Sequence, residues 1–419
     1  MSTPRTYDLI AWGATGFTGK LVAKELCDSV GAGDSARLRW AIAGRSREKL
    51  EAVRDALATT YPEAESIPIV IADSADEQSL RALTASTRVV LSTVGPFAKY
   101  GTPLVAACVA EGTDYCDVTG EGPWVREMLD TYGDQAARNR LRIVSLCGYD
   151  SVPSDLLCRL LQDELIARSG SPASVVEGLV GPIKGSFSGG TIATMINIMR
   201  MAKKDKSLAK KLHDPLVFAP HRSRTRTVPL TKKNRPNPLW PRKIRGRKTK
   251  GWTGPFIMGA INGSVVHRTN DLLNQAWGDD FVYRESTWCG RGRSGWMTAL
   301  GTFLMTAALG GGLMFPPTRL LMQMTILPKP GQGPSASTRA KGYFRQRAVD
   351  LVTGTTALME ARFDPGYEAT AKMLVACGRC LVEDREKLPN MYGVITPGAV
   401  FGPLLVPRLQ DRGFTITVR

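Results

Sequence analysis

The chain has 419 residues, 43% hydrophobic and 22% charged, which suffices for two or three domains with sizeable cores and excludes a disordered chain. Its formal net charge is +17, yet residues 203–250 hold 17 Lys and Arg against only Asp205 and Asp214, so the basicity belongs to one segment and not to the fold. The opening MSTPRTYD carries no apolar signal region and points to the cytosol, not to secretion.

The run YDLIAW from Tyr7 to Trp12 reads as a strand, and a helix is expected from about Phe17. Between them stand Gly13 and Gly16, with Gly19 one turn on, a G-x-x-G-x-x-G variant of the dinucleotide fingerprint with its middle glycine one place late. Such a bend aims backbone N–H groups and a positive helix end at one point, which suits a phosphate, and makes Gly13, Thr15, Gly16, Phe17, Thr18 and Gly19 candidate cofactor contacts. A glycine-rich turn without a ligand is the bland alternative, but it leaves three poor helix and strand formers unexplained at one junction. The second strand lies in LRWAIAGRSREKL, where an NAD-binding unit would end on Asp or Glu. Arg45 and Ser46 occupy that place, which favours a 2′-phosphate and so NADP(H) over NAD(H); a solvated surface arginine is the competing reading.

IPIVIAD supplies a third strand ending at Asp73, a candidate neighbour of the adenine. RVVLSTVGPF supplies a fourth, broken at Val94-Gly95-Pro96, where a glycine permits close approach of a ribose or nicotinamide. A helix from about Thr102 to Glu111, a short strand in DYCDVTGE, a helix near Trp124 to Arg138 and the strand RIVSLCGY follow. Alternation at this spacing implies an α/β fold with a Rossmann-type doubly wound parallel sheet. CGYDSVPSD then lies past the carboxyl end of a strand, where such sheets bind ligands. Ser151 reads as a helix cap, and Tyr149 and Asp150 are less easily explained by capping.

The basic segment is proline-rich and aperiodic, and reads as an extended surface insert suited to an anionic lipid surface, nucleic acid or an import signal, or as a solvated loop. From Ser294 to Thr318 no residue is charged, and residues 296–315 as a helix would match the roughly 30 Å of a bilayer core. Gly310, Gly311 and Gly312 weaken a simple crossing, and basic flanks on both sides suit an element lying on a surface; a buried amphiphile-binding helix is the alternative. Asn262-Gly263 between apolar runs predicts a hairpin, GYFRQRAVDLV and TTALMEARF an antiparallel pair across Thr353-Gly354, and DPGYEATAKMLVACGRCLVED a helix. These make a second α+β domain with a mainly antiparallel sheet, whose open face would meet the nicotinamide. The eight cysteines, Cys377 and Cys380 included, read as reduced core residues without metal spacing.

GATGFTG, AGRS, LSTVGPF with Tyr100-Gly101, GTDYCDVTGE and CGYDSVPSD, in this order and spacing, resemble the saccharopine dehydrogenase-like oxidoreductases, in the branch that holds the trans-acting enoyl reductases. SGGT at 188–191, FIMGAINGSVVHR, KPGQGPS at 329–335 and GVITPGAVFG extend the resemblance over nearly the whole chain. It implies an NADP-binding domain over 1–155, a substrate domain over 156–363 holding the basic insert 203–250 and the apolar segment 294–318, and a segment 364–419 whose helix and tail pack back on the first domain. It also implies reduction of a lipid-like substrate and association with a membrane or lipid droplet, reached from the cytosolic face; nucleic acid, with only the charge run behind it, is an unfavoured partner, and a homodimer is left open. No Tyr has Lys four positions later, so the acid pair of short-chain reductases is absent. Tyr149 is the first candidate proton donor, with Asp150 and Tyr115 behind it, each competing with a core or capping role. A non-catalytic nucleotide-binding lipid-surface protein and an amino-acid-linked saccharopine-type dehydrogenase are the alternatives.

Overall fold

The computed structural model describes residues 5–30, 38–185, 214, 216–219, 240–315, 317–318 and 333–419. SGGT at 188–191, the first residues of KPGQGPS and the part of the basic insert from 203 to 239, apart from 214 and 216–219, lie outside the described residues. The chain divides into two units, Met1–Tyr149 with Gly366–Arg412, and Asp150–Pro365 with Gly413–Arg419.

The first unit alternates strand and helix: β1 (Tyr7–Trp12), α1 (Phe17–Val30), β2 (Trp40–Gly44), α2 (Arg47–Ala58), β3 (Ile69–Ile71), α3 (Glu77–Ser86), β4 (Thr87–Ser92), α4 (Phe97–Glu111), β5 (Asp114–Asp117), α5 (Gly122–Arg138) and β6 (Arg142–Val144). The strands are apolar on both faces, Leu9, Ile10, Ile42, Val89 and Val90 being fully buried, as a sheet covered by helices on both sides requires. All pairings are parallel in the order β3-β2-β1-β4-β5-β6, the doubly wound order expected, with one more strand, β13 (Gly393–Ile395), beside β6. The order reverses between β1 and β4, and such sheets take their ligand at the carboxyl ends beside that point.

Helix α4 begins at Phe97, five residues before the expected Thr102. Pro103 lies inside this helix, and its first N–H groups, of Phe97 and Ala98, donate to the buried Glu121 carboxylate at 2.7 and 3.1 Å. Helix α9 (Thr370–Glu383) belongs to the first unit. Its Lys372 reaches the nearly buried Glu25 of α1, which also holds Arg412 at 2.6 Å, and Gly378 lies so close to Leu9 and Leu91 that a Cβ would collide with them. The last residues, 413–419, leave this unit and form the edge strand β14 (Thr415–Val418) of the second sheet, where the whole tail was expected on the first domain.

The second unit holds α6 (Val152–Ser169), β7 (Val175–Lys184), β8 (Arg242–Arg245), β9 (Lys250–Gly254), α7 (Gly259–Leu272), β10 (Val282–Gly290), α8 (Gly292–Met314), β11 (Tyr343–Val349) and β12 (Thr356–Ala361). Its sheet runs β14-β12-β11-β7-β10-β9-β8, with β7 and β10 parallel and the other pairs antiparallel, and β11 and β12 pair across the predicted turn. Residues 242–245 and 250–254, in part assigned to an extended insert, instead pair as the outermost strands of this sheet.

The hairpin expected at Asn262-Gly263 is absent; that segment is α7. Its inner face follows the helical period through Asn262, Val266 and Thr269, and because two of these three are polar the period did not show as apolar spacing. Each polar group is satisfied inside the unit. Asn262 Nδ2 donates to Glu285 and Ser154, Thr269 Oγ1 to Asp155 at 2.5 Å, and Asn270 Nδ2 to the Gly278 carbonyl.

Candidate functional site

The turn after β1 assigns a separate task to each of its glycines. Gly13 has φ +87°, a conformation costly for any residue with a side chain, and its N–H donates to the Ala43 carbonyl at 2.9 Å. A Cβ on Gly19 would lie 2.0 Å from the Gly13 carbonyl oxygen, so only glycine lets α1 pack against the turn it follows. Gly16 is exposed, and a Cβ there would meet only the Gly13 oxygen, at 3.3 Å. These are the three roles of the dinucleotide fingerprint: tight turn, close approach of the pyrophosphate, and helix–strand packing. The displaced middle glycine does not disturb them, and the cradle fits a dinucleotide. Thr15, Phe17 and Thr18 lie along the same turn and first helical positions, half-buried. Phe17 packs edge-on against Tyr367, with ring centroids 4.7 Å apart.

Arg45 is exposed directly after β2 and contacts no carboxylate among the described residues, whereas Arg47 beside it faces Glu51. Ser46 caps α2 by accepting from the Lys49 N–H, which explains its place in the fold and leaves its hydroxyl proton to donate. Together they present a cation and a donor where a 2′-phosphate would lie. Asp73 follows β3, and its carboxylate accepts from the Ala75 N–H at 2.9 Å, so it builds the turn into α3. Thr93 ties the end of β4 to β1 by donating from its N–H and its hydroxyl to the Trp12 carbonyl, both at 3.1 Å. Val94 consequently stands over Gly13, and Gly95 is exposed ahead of Pro96 and α4.

Of the three proton-donor candidates, Tyr115 is fully buried within β5, its hydroxyl beside Ser92 and Asp117, and burial raises its pKa well above 10. A group so enclosed does not reach a substrate, and this corrects that assignment. Tyr149 is 7% exposed and its backbone N–H donates to Thr370 Oγ1 at 3.1 Å. Asp150, next in the chain, keeps part of its surface accessible while its surroundings strip away water and push its carboxyl up to about 6. Ser151 stands at the N-terminus of α6, as expected, but its hydroxyl donates to Asn262 Oδ1 at 2.9 Å and caps nothing.

Two groups escaped the sequence reading. Asp117, at the end of β5, accepts from Thr119 N, Leu146 N and Ser145 Oγ at 3.0, 3.1 and 2.9 Å, and latches the segment leading to Tyr149. Burial outweighs those donors and raises its carboxyl from 3.8 to about 7. Its signal was an acid closing the short strand DYCD. An acid whose folded pKa exceeds its unfolded value favours folding at low pH and loses that contribution as pH rises from 3.8 toward 7. Asp117→Asn keeps the three contacts if Ser145 turns its hydroxyl to accept. Thermal melts of this variant are therefore expected to lose the decline between about pH 4 and 7 that the wild type shows; an unchanged slope assigns the decline elsewhere.

The second group is a network in the other unit. Glu285, 1% exposed, accepts from Ser154 Oγ at 2.6 Å, Asn262 Nδ2 at 2.7 Å, Tyr283 OH at 2.9 Å and Gln346 Nε2 at 3.0 Å, and burial raises its pKa. It locks α6, α7, β10 and β11 together. No motif marked it, because its members are scattered over 192 residues of chain.

Residues 9–144 match the saccharopine dehydrogenase NADP-binding domain family. A Mycobacterium tuberculosis protein provisionally named a trans-acting enoyl reductase is 39% identical over 99% of this chain and 98% of its own. This chain belongs to the saccharopine dehydrogenase-like oxidoreductases. A trans-acting enoyl reductase of Mycobacterium bovis is 36% identical over 98% of this chain and 97% of its own. Saccharopine dehydrogenase (L-Glu forming) from Saccharomyces cerevisiae superposes over 99% of this chain and 100% of its own, at TM-score 0.49 and 12% identity. The protein is an NADP(H)-dependent oxidoreductase of this family, and the Gly13–Gly19 cradle with Arg45 and Ser46 is where its residues fit that cofactor. Arg45→Glu is expected to weaken NADPH binding by about ten- to a hundredfold, the worth of a charge-assisted contact, while leaving NADH binding unchanged; nicotinamide fluorescence titrations with both nucleotides check it.

Proposed function

We propose that this saccharopine dehydrogenase-like oxidoreductase reduces the carbon–carbon double bond of an unsaturated acyl-type lipid, at the cytosolic surface of a membrane or lipid droplet, in lipid or glycolipid metabolism. The observation that carries the lipid part is α8. It is 23 residues long and uncharged from Ser294 onward, and only 11% of its most apolar stretch is buried. Leaving Met297, Leu304 and Met305 in water at 56–68% exposure is costly, and contact with acyl chains removes that cost. The enoyl part is supported by full-length relatives named for that reaction.

Bound NADPH supplies a hydride. The chain's own residues then have three tasks: the turn at Gly13, Gly16 and Gly19 receives the pyrophosphate, Arg45 and Ser46 take the 2′-phosphate, and Asp150 holds the proton destined for the α-carbon while the β-carbon receives the hydride. Asp150 takes precedence over Tyr149 in this account because a partly accessible carboxyl with a pKa of about 6 gives up its proton near neutral pH far more readily than a tyrosine. The test is NADPH oxidation across a series of 2-enoyl thioesters of increasing chain length, with saccharopine beside them. Turnover rising with chain length supports the reading, and turnover of saccharopine alone refutes it.

A further inference from the structure

Most arginines of the second sheet are paired: Arg242 and Arg284 both contact the fully buried Glu177, and Arg345 contacts Glu360. Lys243, Arg247, Lys248, Lys250, Arg291 and Arg293 are different. All six are exposed and none contacts a carboxylate among the described residues. They line one groove of about 830 Å³, together with Trp252 and Trp296, and among the described residues no acid takes part in its lining. Arg347 adds charge nearby: it lies 5.0 Å over the Trp288 ring, and burial, followed by repulsion from Arg345 and Arg291, lowers its pKa. So many cations gathered without a counter-charge are held at a cost that a bound anion removes.

The groove sits at the start of α8, since Arg291 and Arg293 flank its first residue and Trp296 follows within its first turns. At about 100° per residue, the exposed Trp296, Met297, Leu304 and Met305 fall within one half of the helix circumference, and the buried Gly295, Ala299 and Leu313 fall in the other. One element thus joins a basic groove, an interfacial tryptophan and an apolar face, in the order in which a lipid presents its phosphate, its glycerol level and its acyl chains. A nucleic acid would leave the apolar face uncovered.

We propose that this groove seats the phosphate of an anionic phospholipid headgroup while the apolar face of α8 enters the acyl layer beside it. The inference rests on the membrane reading above and deepens it. It is tested by co-sedimentation of the full chain with vesicles of phosphatidylcholine and of phosphatidylcholine mixed with phosphatidic acid. The variants are Lys248→Glu with Arg291→Glu, and Leu304→Ser with Met305→Ser; NADPH titration and a thermal melt establish that each is folded. The expected result is a preference for the mixed vesicles of at least about tenfold, abolished by the charge reversals with the weaker neutral adsorption retained, and loss of all adsorption in the serine variant. Inorganic phosphate should displace the protein from mixed vesicles better than chloride at equal ionic strength. Equal displacement by both ions would reduce the groove to diffuse attraction and overturn the seat. Equal binding to both vesicle types overturns the headgroup site and leaves the membrane reading standing, and binding to neither overturns both. Capture of a short oligonucleotide in place of vesicles would assign the groove to nucleic acid and overturn the proposal.

Discussion

Gly19→Ala is expected to raise the NADPH dissociation constant by about a hundredfold and to lower the melting temperature of the protein without nucleotide. The added methyl would stand 2.0 Å from the Gly13 oxygen, 2.7 Å from its carbonyl carbon and 2.8 Å from Ala14 Cα, all backbone atoms of the turn that has to cradle the pyrophosphate. No side chain can rotate to make room, so the turn and the helix must separate. Overpacking of this kind costs about 1–3 kcal/mol, and the upper end corresponds to about a hundredfold in affinity. Gly16→Ala is the comparison. Its methyl touches only the Gly13 oxygen, at 3.3 Å, so the melting temperature should hold while NADPH binding falls, because the methyl occupies the space the ligand approaches through. Equal loss of stability in both variants would mean that Gly16 serves packing and not the nucleotide.

Asp150→Asn is expected to lower kcat by about 10²- to 10⁴-fold, the usual contribution of a positioned acid. The diagnostic part is the pH profile. The carboxyl is pushed up to about 6 by burial, so the proton-bearing form prevails below that value and thins tenfold per pH unit above it. Wild-type kcat/KM should therefore fall on the alkaline side with an apparent pKa near 6, and the asparagine variant should lose that limb along with its activity. A limb that survives in Asp150→Asn but moves in Asp117→Asn, whose carboxyl lies at about 7, would transfer the proton-holding role to the second aspartate.

The nucleotide half was readable because its chemistry is local. Gly13, Gly16 and Gly19 are contiguous with the strand and helix they join, and the cation at Arg45 follows its strand directly, so spacing alone carries the argument. Helix α7 shows where spacing misleads. Asn262-Gly263 has the composition of a hairpin turn, but Asn262 is 1% exposed and bonded to Glu285, Ser154 and Ser151, contacts whose partners lie 23, 108 and 111 positions away. A buried amide with distant partners overrides a local turn preference, and only the assembled unit reveals it. Ser151 was placed correctly at the start of α6, yet its hydroxyl is spent on the same network. Tyr115, a third candidate proton donor, sits on a strand covered on both faces, which removes it from reach. Burial, the quantity that separates Tyr115 from Asp150, has no one-dimensional signature at either position.

The fate of the hydride reports most directly on enoyl reduction. The protein is mixed with NADPH deuterated at the transferable position of the nicotinamide and a long-chain 2-enoyl thioester presented in vesicles, and the product is read by mass spectrometry. The expected product is a saturated acyl chain carrying one deuterium at its β-carbon, with the α-hydrogen drawn from solvent. An acyl chain recovered unreduced, from protein that binds NADPH and adsorbs to the vesicles, would contradict enoyl reduction and leave a nucleotide-binding lipid-surface protein in its place.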